Sequence, residues 1–171
     1  VCPGVKPERK GISLLPKGSS AAREGEDALL SFLIKTFEKE GFRVIGADEA
    51  AGSLTGEQGV LAGSTPVADQ MEDLKKAAKV ASEMGRLDIG QGAIVAGGLV
   101  LCVEAQEGTD EMLRRCADLP VQIRGSETSR KGVLVKRPKP QQERRIDLPT
   151  IGMMTVDLAA EAGLAGIGFE I

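Results

Sequence analysis

The sequence predicts an α/β fold: a mixed β-sheet with a β-hairpin and about four amphipathic helices packed in layers. Three observations carry this expectation. Helix-like stretches that end at glycine give way to short apolar runs, the rhythm of layered α/β architecture. The run DIGQGAIVAGGLVLCVEA sets two strand-like segments around a glycine turn, a hairpin signature. The 171 residues are 42% apolar and 27% charged, enough for a domain with a real core.

The elements follow in order. Val1 to Gly11 is rich in Pro, Gly and charge and reads as a linker. ISLLPKG reads as a short strand or edge segment stopped by Pro16, and Ser19 to Gly25 as a small polar loop. Glu26 to Glu40 places Leu29, Leu30, Leu33, Ile34 and Phe37 on one helical face, with Gly41 as its C-terminal cap. FRVIGA is expected as a buried strand, and Asp48 to Gly63 as a loop with one short helical turn. Val67, Met71, Leu74, Ala78 and Ala81 mark a second helix that Gly85 should stop. After the hairpin, Thr109 suits the cap of a helix from Asp110 to Leu119 with acids in its first turn. Val121 to Lys131 looks polar and loose, GVLVKRP reads as a strand, and KPQQERRIDLP as a long charged loop. Thr150 to Ala162 is a further amphipathic helix ended by Gly163, and AGIGFEI is a final strand.

Composition removes several chemistries. The chain has no His, which excludes Ser-His-Asp triads and Cys-His pairs. Three cysteines without a CxxC pair do not make a zinc site, and scattered thiols suit a reducing compartment. A metal would have to be held by carboxylates, backbone oxygens and water, the ligand set of Mg²⁺ or Mn²⁺. Four Phe, no Trp or Tyr and a net charge of -3 argue against a nucleic-acid surface. No apolar run reaches the length of a membrane span, and no signal peptide is visible. The phosphate-loop and dinucleotide glycine motifs are absent.

Two polar groups stand out. VEAQEGTDEML carries Glu104, Glu107 and Asp110 where a strand hands over to a helix, a position where ligands gather in α/β sheets. An acid there is also explained by the helix dipole alone, worth about 0.3–1 kcal/mol. VKRPKPQQERRIDLP sets Lys136, Arg137, Lys139, Arg144 and Arg145 ahead of Asp147 in a proline-stiffened loop. Cations beside carboxylates suit a phosphate and a metal together, although a charge run of this kind is also an ordinary solvated loop. Spacing leaves both readings open.

EGEDALL, EGFRVIGADE, LDIGQGAIV, VEAQEGTDEML, GVLVKRPKPQQERRIDLPTIG and GLAGIGFE occur in this order. Together they resemble the C-terminal domain of the LpxI-type UDP-2,3-diacylglucosamine pyrophosphohydrolases of lipid A biosynthesis, over nearly the whole chain. GEDALL stands where GDDALL is usual in that family. The resemblance implies hydrolysis of UDP-2,3-diacylglucosamine to UMP and 2,3-diacylglucosamine 1-phosphate, by Mg²⁺-assisted attack of water on the α-phosphorus, with Mn²⁺ as the other candidate ion. It implies Asp110 as the catalytic residue and a metal ligand, with Glu104 and Asp147 on the metal side. Gln91, Thr109, Lys136, Lys139, Gln142 and Arg145 become contacts to phosphate or sugar.

The resemblance further implies a missing N-terminal domain. Residues 1–11 are then the remnant of an interdomain linker, and residues 12–171 a C-terminal domain of catalytic type. Its partners would be that N-terminal domain and UDP-2,3-diacylglucosamine, with a homodimer left open and no nucleic acid. Its place would be the cytoplasm, with peripheral contact at the inner membrane. The isolated segment is expected to turn over little, because closure between two domains would exclude water from the phosphates. A binding or dimerisation module without catalytic residues of its own is the alternative, and another phosphate ester on the same scaffold is a third.

Overall fold

The computed structural model describes residues 9–46, 49–50, 58–140, 145 and 150–170. The chain divides into two compact units, residues 1–50 with 143–146, and residues 51–142 with 147–171.

The first unit is a helical pair. Helix α1 runs Arg9–Glu24 and α2 runs Glu26–Lys39, with Gly25 between them. The strand expected at ISLLPKG is therefore helix, and so is the loop expected at Ser19 to Gly25 except for Gly25 itself. Pro16 lies inside α1 and removes one backbone donor there. Packing offsets this: α1 lies on α2 closely enough that a Cβ on Gly18 would sit 3.5 Å from the Phe32 ring. Beyond α2 the expected strand FRVIGA does not form over residues 42–46. Phe42 is 63% exposed and sets its ring edge-on to Phe37, at a centroid distance of 6.1 Å. An apolar run becomes a strand only when a neighbour supplies hydrogen bonds, and local sequence does not report that neighbour.

The second unit holds the sheet. Its elements are α3 (Ala68–Arg86), β1 (Gly92–Ala96), β2 (Leu99–Val103), α4 (Gly108–Ala117), the single turn α5 (Val121–Arg124), β3 (Val133–Lys136), α6 (Met153–Glu161) and β4 (Gly166–Phe169). Strand order is β2-β1-β3-β4. β1 pairs antiparallel with β2 and β3, while β3 and β4 pair parallel across the connection that contains α6. The sheet is mixed and the fold is α/β, as the sequence predicts.

Strand alternation sends neighbouring side chains to opposite faces. Ile94, Cys102 and Leu134 join Met112, Leu113 and Cys116 of α4 and Leu158 and Ala159 of α6. Val95, Val133 and Val135 pack on Ala77 of α3, flanked by Leu74 and Ala78. The unit is thus a three-layer sandwich with α3 on one face and α4 and α6 on the other. No helix of the described residues is long and apolar enough to cross a membrane.

Three local expectations in this unit change. The buried stripe of α3 is Asp73, Ala77, Ala81 and Gly85, whereas Val67 is 61% exposed. Small residues let the helix lie close on the sheet, so the stripe follows size as well as hydropathy. Gly85 does not stop α3; it is buried in the last turn, where a Cβ would meet the Lys139 backbone at 3.2 Å. Residues 121–131, expected to be loose, contain α5 and a bridge between Gly125 and Arg130. Arg124 holds that region by donating to the carbonyls of Leu119, Gly125 and Ala162.

The hairpin forms as expected, with Ala96 opposite Leu99. Gly97 and Gly98 both take positive φ, 56° and 76°, the geometry of a two-residue hairpin turn. Their N–H groups donate to Asp73 of α3 at 2.9 and 2.7 Å, and Lys76 donates to the Gly98 carbonyl. The buried carboxylate therefore ties the turn to the helix layer. Asp73→Ala should lower stability by about 2–3 kcal/mol in a denaturant titration, with Asp73→Asn, which keeps one acceptor, costing less.

Candidate functional site

One end of the sheet brings together most of the described polar residues singled out by sequence. Gly92 of β1 is register partner to Lys136 of β3. On its other side, the Glu104 N–H donates to the Gly92 carbonyl at 2.9 Å. Glu104, Gly92 and Lys136 therefore form one row across three strands. The first turns of α4 and α6 lie at the same end, and contacts tie each of them to this row or to each other.

Glu104 is 6% exposed. Its Oε1 accepts a hydrogen bond from the Thr109 hydroxyl at 2.9 Å, within the buried start of α4. Its Oε2 is buried without a hydrogen-bond partner among the described residues. Gly92 creates the space for this carboxylate, since a Cβ there would meet Oε2 at 2.6 Å and the Met112 Cε at 3.3 Å. Thr109 does not cap α4 as expected: the cap position is Glu107, whose side chain makes no capping hydrogen bond to the helix, and the Thr109 hydroxyl serves Glu104 instead.

Asp110 lies in the first turn of α4, half-buried. Its Oδ1 accepts from the Thr155 hydroxyl of α6 at 3.2 Å. Glu107 faces the surface and pairs with Arg115. Its own backbone N–H, and then Arg115, hold its carboxyl below the usual range. Lys136 is only 6% exposed, and its Nζ reaches the Thr150 carbonyl at 3.4 Å. Gln91 places a buried Oε1 without a partner among the described residues.

Other candidates lie apart. Lys139 pairs with Asp88 at 2.8 Å, with its side chain 12% exposed. Arg145 belongs to the first unit and pairs there with Glu38 at 2.6 Å. Asp147 and Gln142 lie outside the described residues. Thr150 and Thr155 were missed by sequence reasoning. Both sit in a stretch read only as amphipathic helix, and neither a backbone carbonyl nor a single hydroxyl carries a periodicity that would mark it.

Behind the row, Cys102 and Cys116 share the core with Ile94 and Leu134. A hydrogen bond from Cys116 lowers the Cys102 thiol to about 7 against the effect of burial. The same bond and burial push the Cys116 thiol up.

A Mg²⁺ ion takes about six oxygen ligands and is held by carboxylates and water. Of the three carboxylates expected to hold such an ion, Asp147 lies outside the described residues. Both Glu104 oxygens are sealed in the interior, one engaged by Thr109. Among the described residues no three ligating side chains gather.

The family described as the LpxI C-terminal domain matches residues 57–171. The chain is also similar to the UDP-2,3-diacylglucosamine pyrophosphatase LpxI of Caulobacter vibrioides, 57% identical over 163 residues. That match covers 95% of this chain and 58% of the relative, so the chain spans little more than half of the relative's length.

These findings correct one expectation, that of Mg²⁺-assisted attack of water on the α-phosphorus releasing UMP and 2,3-diacylglucosamine 1-phosphate. The relative's name gives a pyrophosphatase and neither a metal nor the phosphorus attacked. Among the described residues no group of three ligating side chains forms at this end of the sheet. Gly92→Ala tests how tightly this end of the sheet is built. The new methyl must displace the Glu104 carboxylate, and stability should fall by about 1–3 kcal/mol on chemical denaturation.

Proposed function

Because the chain belongs to the LpxI C-terminal domain family, we propose that it forms the C-terminal domain of a UDP-2,3-diacylglucosamine pyrophosphatase. An N-terminal domain is its partner in this reading, in keeping with the share of the relative that the match leaves uncovered. The buried free thiols Cys102 and Cys116 suit work in the reducing cytoplasm.

One observation carries the functional part of this reading. Lys136 is an ammonium group stripped of most of its water, and its one hydrogen bond among the described residues is long and goes to a neutral carbonyl. A buried cation is costly unless an anion meets it. A diphosphate supplies that anion, and Lys136 is its contact in the proposed complex. Asp110 is the carboxylate on which turnover depends. It is the one acid of VEAQEGTDEML that is neither sealed in the core like Glu104 nor ion-paired at the surface like Glu107 and Glu111.

Two substitutions in the full-length protein test these roles. Asp110→Asn should lower turnover by about 10³, equal to about 4 kcal/mol of barrier. Its stability should change by no more than about 1 kcal/mol, the worth of an acid in a helix's first turn. Near-normal turnover would remove Asp110 from the site. Lys136→Met should leave stability unchanged or raise it, because it removes a poorly paired buried charge, while KM rises by about tenfold or more. An unchanged KM would mean that Lys136 does not meet the substrate.

A further inference from the structure

We infer that Thr155 is a positioning residue for Asp110, and that the N-terminal segment of α6 sets the spacing between the proposed phosphate contact and the proposed carboxylate. This inference rests on the functional reading of Asp110 and Lys136 given above.

Thr155 is 7% exposed and donates its hydroxyl hydrogen to Asp110 Oδ1 at 3.2 Å. The bond joins two neighbouring helices of one layer, since Thr155 lies in the first turn of α6 and Asp110 in the first turn of α4. It fixes the rotation of the carboxylate and commits one oxygen, leaving Oδ2 as the oxygen that can face a ligand. The backbone beneath Asp110 is held independently, because the preceding residue, Thr109, is anchored to Glu104.

Five residues before Thr155, the carbonyl of Thr150 accepts from Lys136 Nζ. The segment Thr150–Thr155 therefore touches Lys136 at one end and Asp110 at the other. A diphosphate bound at Lys136 would meet Asp110 at a distance governed by this segment. Misplacement of a reacting group by about 1 Å can cost about 10²-fold in rate, so loss of the Thr155 bond should appear in kcat and leave ground-state binding intact.

The test uses the full-length protein with UDP-2,3-diacylglucosamine as substrate. Thr155→Val keeps shape and removes the donor. It should lower kcat about tenfold or more, with KM within about twofold and an unchanged melting temperature. Thr155→Ser, which restores the hydroxyl, should recover kcat to within about twofold of the parent. In an Asp110→Asn background, Thr155→Val should add nothing further, because residues that act as one unit are not additive. Parental kcat in Thr155→Val, or a Ser variant as impaired as the Val variant, would overturn the inference. So would a Thr155→Val loss that persists undiminished in the Asp110→Asn background. An inactive Asp110→Asn beside a fully active Thr155→Val defeats this inference alone, whereas a fully active Asp110→Asn defeats the functional reading and this inference with it.

Discussion

The second unit depends on a strand that is apolar on both faces. All five residues of β1 are buried, and Ile94 and Val95 point into different cores. Ile94 faces α4 and α6, and Val95 faces α3. A strand covered on both sides leaves its hydrogen bonds no choice but neighbours on both edges, and β2 and β3 fill those places. The register that keeps Ile94 opposite Cys102 and Leu134 also keeps Gly92 beside Lys136 and within reach of Glu104. A slip of one residue would send Ile94 and Val95 each into the other's core and break this fit. Hydrophobic packing in the middle of the sheet thereby decides which polar groups meet at its end.

Three acids spaced three residues apart acquire three different physical states. Glu104 is pulled inside at the exit of β2 and hydrogen-bonds Thr109. Glu107, one turn on, faces water and pairs with Arg115. Asp110 opens α4 and meets a hydroxyl from α6. Identical charge and regular spacing do not produce a shared site, because the chain changes from strand to helix between the first and the last. The Gly92 position adds to the difference: the missing side chain is what allows a carboxylate to lie over β1 at all.

The helix layers have a matching asymmetry. α3 meets the sheet through small residues and a buried Asp73 that grips the hairpin turn. α4 and α6 meet it through larger side chains, Met112, Leu113 and Leu158, and meet each other through a polar contact at their first turns. A buried carboxylate joins helix to turn on one face, and a hydroxyl–carboxylate contact joins helix to helix on the other.

The sequence by itself determined what depends on near neighbours and on composition. The hairpin was legible because the two glycines lie between apolar runs, and α2, the strand at Val133–Lys136 and the final strand were legible from period and glycine punctuation. The exclusion of histidine chemistry needed no structure. The family resemblance, carried by ordered motifs, matched what the comparisons found. The tertiary structure decided whatever needs a distant partner. Residues 12–24 became helix because α2 lies alongside them, and residues 42–46 remained without a strand because pairing is supplied by other segments. The sealing of Glu104, the burial of Lys136 and the entry of Thr155 into the site join residues that local pattern keeps apart. Spacing reports which residues are near along the chain, whereas burial and hydrogen bonding between layers are properties of the packed whole.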